Sequence, residues 1–327
     1  MHMADALVSP AVGGAMLATS AVLIGISARN VRKNFDNSKI PLMGVMGAFV
    51  FAMQMINFTI PGTGSSGHIA GGVMLAALLG SYPAFLVLSA VLIIQALFFA
   101  DGGLLAYGCN VFNMGFWSCF IAYPLVFKPI AKDYSSNGRI FAASILAGIV
   151  GLQLGAFCVV LETLCSGITE LPFKVFAGLM QPIHLAIGAV EGVLTGMLIV
   201  FLKSARPELF AGQNAAQSAP LKLVCGYLLL ASFAIAGALS LLASENPDGL
   251  EWSIFKATGK EELSASGAVY EFLEKAQAKL SVFADYAIAS MGDGALSAVF
   301  AGLAGVLIVA AAVVLAARIL KARHSER

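Results

Sequence analysis

A histidine at the second position of a chain with a free amino terminus brings three nitrogens to one metal ion. The Met1 amine and the His2 amide nitrogen close a five-membered chelate ring, and the amide with the His2 ring Nδ1 closes a six-membered one. These nitrogens lie nearly in a plane, and a fourth donor completes a square of the kind that suits Ni(II). Aminopeptidases remove the initiator methionine mainly ahead of small residues, so the bulky His2 is expected to leave Met1 and its amine in place. The best fourth donor is His68, which closes the Gly/Ser-rich stretch Pro61-Gly62-Thr63-Gly64-Ser65-Ser66-Gly67-His68, whose backbone can fold inward. Singly, His2 reads as a chance polar residue before an apolar run and His68 as a helix cap. Together on one face they point to a metal site. Asp5 either accepts a hydrogen bond from a ligand histidine or caps the first helix, and capping is the preferred role.

Other polar residues stand in apolar surroundings. Glu191 and Glu162 are intramembrane carboxylates, which are functional suspects by default, although a buried Glu hydrogen-bonded to a neighbouring helix is an equal alternative. His184 lies seven residues before Glu191, on the same helical face, and suits either an entry path or a packing network. Asn57, Asn110 and Asn113 offer handles for loop anchoring or for hydrogen bonds behind the ligands. Cys109, Cys119, Cys158, Cys165 and Cys225 form no C-x-x-C pair and read as small core residues. No Walker A pattern is present, because Gly259-Lys260 is followed by Glu261; any ATP chemistry would come from another subunit.

The elements that must position these residues are membrane spans. Of 327 residues 59% are hydrophobic and 11% charged, far from the roughly 25% charged of a soluble domain. Repeated apolar runs of about 20 residues can each cross the hydrocarbon layer. A net charge of +1 leaves no surface to neutralise a nucleic-acid backbone, which excludes that partner. Because Arg29, Arg32, Lys33 and Lys39 follow the first apolar run, it reads as an uncleaved span (about 10–28) running from outside to inside. A second span (about 41–60) returns outward to the His68 loop. A short third segment (about 69–80) crosses only if tilted or buried in protein.

Spans four to seven then cover about 84–100, 104–127, 140–161 and 183–202. Lys128, Lys132, Arg139, Lys203 and Arg206 fall inside. A linker at 206–221, rich in Ala, Gln, Ser and Pro, separates this module (1–205) from a second one (222–327). The second module reads as two spans, about 222–243 and 298–317, joined by the acidic external loop 244–297. The N-terminus is therefore external and the C-terminus, with Arg318, Lys321, Arg323, His324 and Arg327, cytoplasmic. His2, His68 and His184 fall on the external side. Val269, Phe272, Leu273, Ala276, Leu280 and Phe283 recur at helical spacing and predict one amphipathic helix in the loop. Gly151 with Gly155, and Gly188 with Gly192, allow close helix approach. The fold class is an all-α polytopic membrane protein, with seven helices, one of them short, followed by two.

At these residues the chain resembles a known family. Met1-His2-Met3-Ala4-Asp5, Pro41-Leu42-Met43-Gly44-Val45, Gln54-Met55-Ile56-Asn57-Phe58, Gly67-His68, Gln95-Ala96-Leu97, Asp101-Gly102-Gly103 and Asn113-Met114-Gly115 resemble the nickel/cobalt substrate-capture component of energy-coupling-factor transporters. The family start is usually followed by Pro-Asp-Gly, where this chain has Ala4-Asp5-Ala6. The segment Asn246-Pro247-Asp248-Gly249-Leu250-Glu251-Trp252 looks like the small two-helix accessory component of the same systems, fused at the C-terminus.

The resemblance implies a transporter subunit, not an enzyme, that binds Ni(II) or Co(II) through Met1, His2 and His68. Nickel is expected ahead of cobalt, with no cofactor besides the transported ion. It further implies a transmembrane coupling subunit and two ABC ATPases as partners in a cytoplasmic membrane of bacterial or archaeal type. The competing expectation is an ion-coupled secondary transporter using Glu191 and Glu162. Because its only histidine, His324, is internal, the second module is expected to supply no metal ligand.

Overall fold

The computed structural model describes residues 1–34, 39–210, 220–260, 263–292 and 294–325. After a short turn of helix at Asp5–Leu7, α1 spans Pro10–Lys33, capped by the Ser9 hydroxyl, with Pro10 in its first turn and Arg32 and Lys33 in its last. Then follow α2 (Ile40–Gln54), the strands β1 (Phe58–Ile60) and β2 (Ser65–Gly67), α3 (Gly72–Leu79), α4 (Ser81–Phe98), α5 (Tyr107–Ala131), α6 (Asn137–Ser166) and α7 (Phe173–Ala205). The second module adds α8 (Leu221–Gly237), α9 (Gly249–Thr258), α10 (Ala268–Leu280) and α11 (Ala295–Ser325). Most of the expected joint at 206–221 lies outside the described residues, as does the side chain of His324.

Among the described residues, α1, α4, α5, α6, α7 and α11 are long and apolar enough to cross a membrane. The chain is an all-α polytopic membrane protein. α3 has only eight residues, and every one of them is buried, so its short run of backbone never meets lipid. The second expected span ends early. α2 stops at Gln54, and Phe58–Ile60 instead pairs antiparallel with Ser65–Gly67, in the register Phe58↔Gly67, Thr59↔Ser66 and Ile60↔Ser65. Thr59, Ile60 and Pro61 favour an extended run into a turn, and Gly62 and Gly64 supply the positive φ that the turn requires.

Close helix approach follows the small residues. A Cβ at Gly192 would stand 2.3 Å from the Ile145 Cα on α6, and one at Gly155 would stand 2.4 Å from the Asn113 carbonyl oxygen on α5. The second module is packed onto the first, with α8 and α11 lying against α2, where Val314 approaches Gly44 and Val313 approaches Gly47. Loop 244–297 carries two helices where one was expected. α10 matches the amphipathic stripe but stops before Phe283. α9 arises from a capping box in which the Asp248 carboxylate accepts from the Leu250 and Glu251 amides while Glu251 accepts from the Asp248 amide.

Candidate metal site

The amino terminus is threaded inward and clamped. The Met3 amide donates to Asn110 Oδ1 at 2.7 Å, and the Met3 carbonyl accepts from Asn110 Nδ2 at 3.1 Å and from the Gly103 amide at 2.9 Å. Asp5 accepts from the Ala106 amide at 2.9 Å, so it pins the chain entry and does not reach a histidine. These bonds fix the two residues ahead of Met3.

The β1–β2 hairpin delivers His68 to the same place. Glu191, on α7, secures the backbone just beyond it, with Oε2 accepting from the Ala70 amide at 2.7 Å and Oε1 from the Gly71 amide at 3.1 Å. His68 Nδ1 lies 3.0 Å from the Ile69 carbonyl, which can only accept, so Nδ1 carries the proton and Nε2 keeps its lone pair. That lone pair faces the Met1 amine at 2.7 Å. Met1 is 5% exposed and His68 8%, so two nitrogens 67 residues apart meet out of water. The His2 ring stacks on the His68 ring with centroids 5.0 Å apart and planes 12° apart. Met1, His2 and His68 are thus gathered at one point.

Two aspartates not expected at the site complete it. Asp101 Oδ1 lies 3.0 Å from His2 Nδ1, and its Oδ2 accepts from the Tyr286 hydroxyl at 2.5 Å. Asp248 Oδ2 accepts from the Met1 ammonium at 2.7 Å and lies 3.7 Å from His68 Nε2. Burial favours the neutral acid at both. At Asp248 it is outweighed by the Met1 ammonium, and at Asp101 by the His2 charge and by hydrogen bonds from His2 and Tyr286. Both carboxyls therefore sit well below the ordinary range. Burial, aided by the Met1 ammonium, also lowers His68 and favours the neutral ring that a metal needs.

The second module, expected to supply no ligand, therefore lies against the site through Asp248 and through Tyr286 behind Asp101. Asp101 offered a sequence signal only as part of Asp101-Gly102-Gly103. Asp248 offered one only as part of Asn246-Pro247-Asp248-Gly249-Leu250-Glu251-Trp252.

Among the described residues, none of the remaining candidates is hydrogen-bonded to Met1, His2 or His68. His184 Nδ1 faces the Met180 carbonyl at 2.8 Å, and its ring lies under the first residue of α9, where a Cβ on Gly249 would stand 3.2 Å from Cε1. The Asn57 carbonyl accepts from the Ser244 amide at 2.7 Å, tying the two modules together. Glu162 accepts from Asn113 Nδ2 at 2.7 Å, and the same amide group lies 3.5 Å from Met3 Sδ. Glu191 acts through the backbone it holds behind His68.

These features agree with comparisons to known proteins. Residues 2–209 match the family model described as the cobalt uptake substrate-specific transmembrane region, and residues 222–322 match a PDGLE domain. The chain belongs to this cobalt-uptake transmembrane family, with the PDGLE domain joined to its C-terminus. It is 30% identical to the fused nickel transport protein NikMN of Rhodobacter capsulatus, over 97% of both chains. It is 29% identical to the probable fused nickel transport protein LarMN of Lactiplantibacillus plantarum, over 89% of this chain and 90% of that one. A crystal structure described as a truncated transition metal transporter superposes with a TM-score of 0.55 at 30% identity, covering 62% of this chain and 99% of that one. The chain is an integral membrane component of metal uptake.

Proposed function

We propose that this protein captures a divalent transition-metal ion at the external face of a cytoplasmic membrane, nickel in preference to cobalt. The ligands are the Met1 amine, the His2 amide nitrogen and ring Nδ1, and His68 Nε2. The observation that carries this reading is the buried 2.7 Å approach of the Met1 amine to His68 Nε2. An amine and an imidazole lone pair so placed hold one proton between them, and a metal ion that displaces this proton gains both donors at once. Chelation by His2 Nδ1 requires that ring to turn away from Asp101, because one nitrogen cannot both donate to a carboxylate and bind a metal.

Nickel is favoured because nitrogen donors in a plane suit its geometry and because the relatives aligned along most of the chain bear nickel-transport names. A Geobacter sulfurreducens relative, 27% identical over 80% of this chain, is named a cobalt transport protein, which keeps cobalt as the second cargo. The N-terminus is external and the C-terminus cytoplasmic, as the distribution of Lys and Arg supports. Energy comes from a transmembrane coupling subunit and two ABC ATPases. Module 1–205 captures the ion, and module 222–327 assists it through loop 244–297.

Metal analysis of the purified protein, with nickel and cobalt in competition, tests this. Wild type retains nickel, and His68→Ala is folded and largely metal-free. Wild-type nickel content in His68→Ala would refute the ligand set, and uptake in vesicles that follows a proton gradient and ignores ATP would refute the coupling.

A further inference from the structure

We propose that Asp248 Oδ2 is itself a ligand of the captured ion, so that the second module completes the metal site and does not merely cover it. This rests on the metal-capture reading above.

Donors around a divalent ion at about 2.0–2.1 Å stand roughly 3 Å apart when adjacent and about 4 Å apart when opposite. Met1 N is 2.7 Å from both His68 Nε2 and Asp248 Oδ2, and those two are 3.7 Å from each other. The two 2.7 Å separations are those of adjacent donors, and the 3.7 Å one needs to close by only roughly 0.7 Å for Asp248 Oδ2 to stand adjacent to His68 Nε2 on one ion.

The carboxylate is preset for this role. Its Oδ1 is consumed by the capping bonds from Leu250 at 2.7 Å and Glu251 at 2.9 Å, which fix the rotamer and leave Oδ2 aimed at Met1. The turn that carries it is fastened to the loop that carries His68. The Ser66 amide donates to the Pro247 carbonyl at 2.8 Å, the Ser66 hydroxyl to the Asn246 carbonyl at 2.7 Å, and the Trp252 indole to the Thr63 carbonyl at 3.0 Å. A carboxylate that left on metal arrival would have to break this set of bonds, whereas one that stays exchanges a proton-bearing amine for a metal-bearing one.

Charge points the same way. A divalent ion on an amine, two imidazoles and one deprotonated amide leaves a single positive charge in a buried site, offset by the carboxylates of Asp101 and Asp248, of which Asp248 is the one that faces the Met1 amine. Because the nitrogen set is planar, the carboxylate arrives out of that plane and makes the ion five-coordinate.

The test uses full-length, nickel-loaded protein with a free amino terminus. Wild type is compared with Asp248→Asn and Asp248→Ser, both of which keep a helix-capping residue, and with His68→Ala. X-ray absorption should show a five-coordinate nickel with one oxygen donor in wild type and a planar four-coordinate nickel in the Asp248 variants. Their nickel affinity should be weaker by roughly tenfold or more. A planar, four-coordinate spectrum in wild type overturns the proposal, and that measurement needs no variant to fold. An unchanged spectrum in a folded Asp248 variant overturns it as well, even with weakened binding, since Asp248 would then act only by placing Met1. If His68→Ala also binds nickel as wild type does, the capture reading itself fails.

Discussion

Gly249 stands where α9 meets α7, and replacing it with alanine tests whether the second module holds Asp248 in place by close packing. The new Cβ would lie 2.6 Å from Ile183 Cγ2 and 3.2 Å from both His184 Cε1 and Ile187 Cδ1. Ordinary carbon contacts begin at about 3.5 Å, and the Cγ2 methyl of a β-branched residue in a helix has no other rotamer to move to. α9 must therefore shift outward by roughly 1 Å, carrying Asp248 with it. Overpacking of this kind costs about 1–3 kcal/mol. The better helix propensity of alanine, at most about 1 kcal/mol, offsets only part of that. At about 1.4 kcal/mol per decade, the docked state of α9 loses up to about a hundredfold.

The chain has two tryptophans, so in a Trp117→Phe background the emission of Trp252 reports docking of its indole on Thr63. Gly249→Ala should shift that emission to the red and open α9 itself, whose Leu250, Ser253 and Ile254 are buried in the docked state, to protease. Wild-type emission together with wild-type cleavage would show that the contact does not hold the module down.

Glu191→Gln places an amide NH2 against the Ala70 or Gly71 N–H, and an unsatisfied buried donor costs about 1–3 kcal/mol; a lower melting temperature and weaker nickel binding are expected, and retention of both would refute its bracing of His68. Asp101→Asn frees His2 Nδ1 from its carboxylate partner, so nickel should bind more tightly while the metal-free protein melts earlier; weaker nickel binding, read by competition titration, would mean that Asp101 helps the bound state. Acetylation of Met1 removes the amine and should abolish nickel binding and uptake. A glycine added ahead of Met1 supplies three backbone nitrogens and should keep nickel bound without help from His68, yet abolish uptake; normal transport by the acetylated protein would exclude the amine as a ligand.

The parts of the site that were legible in the sequence are those whose chemistry is local. His2 announces a chelate because its distance from the amine is set by covalent structure, and His68 stands in a loop whose glycines allow it to fold inward. The spans are legible because bilayer thickness sets the length of an apolar run, and the stripe from Val269 to Leu280 because a helix repeats every 3.6 residues. Asp101 and Asp248 were not legible as site residues. Each meets its partner across about 100 or more positions of chain, at distances that only packing fixes. The hairpin at 58–67 was missed for a related reason, since an apolar run ahead of Pro61 reads equally well as the end of a span until its strand partner is known.

Asp248 also shows why a chemical residue can hide inside a structural signal. The run Asp248-Gly249-Leu250-Glu251 satisfies every requirement of a helix start, and that role accounts for Oδ1 and for Glu251 completely. It leaves Oδ2 unexplained, along with the glycine, which a helix start does not need. Gly249 answers to Ile183, because only a residue without a Cβ lets α9 approach α7 so closely. Trp252 answers to Thr63 and Pro247 to Ser66, and both of those partners belong to the His68 loop. A segment that met only the needs of a helix start would have no reason to fasten itself at Asn246, Pro247 and Trp252 to the turn before His68 and to aim a charged oxygen at the chain amine. Through these contacts with Thr63, Ser66 and Ile183 the segment from Asn246 to Trp252 holds one carboxylate oxygen against the Met1 amine.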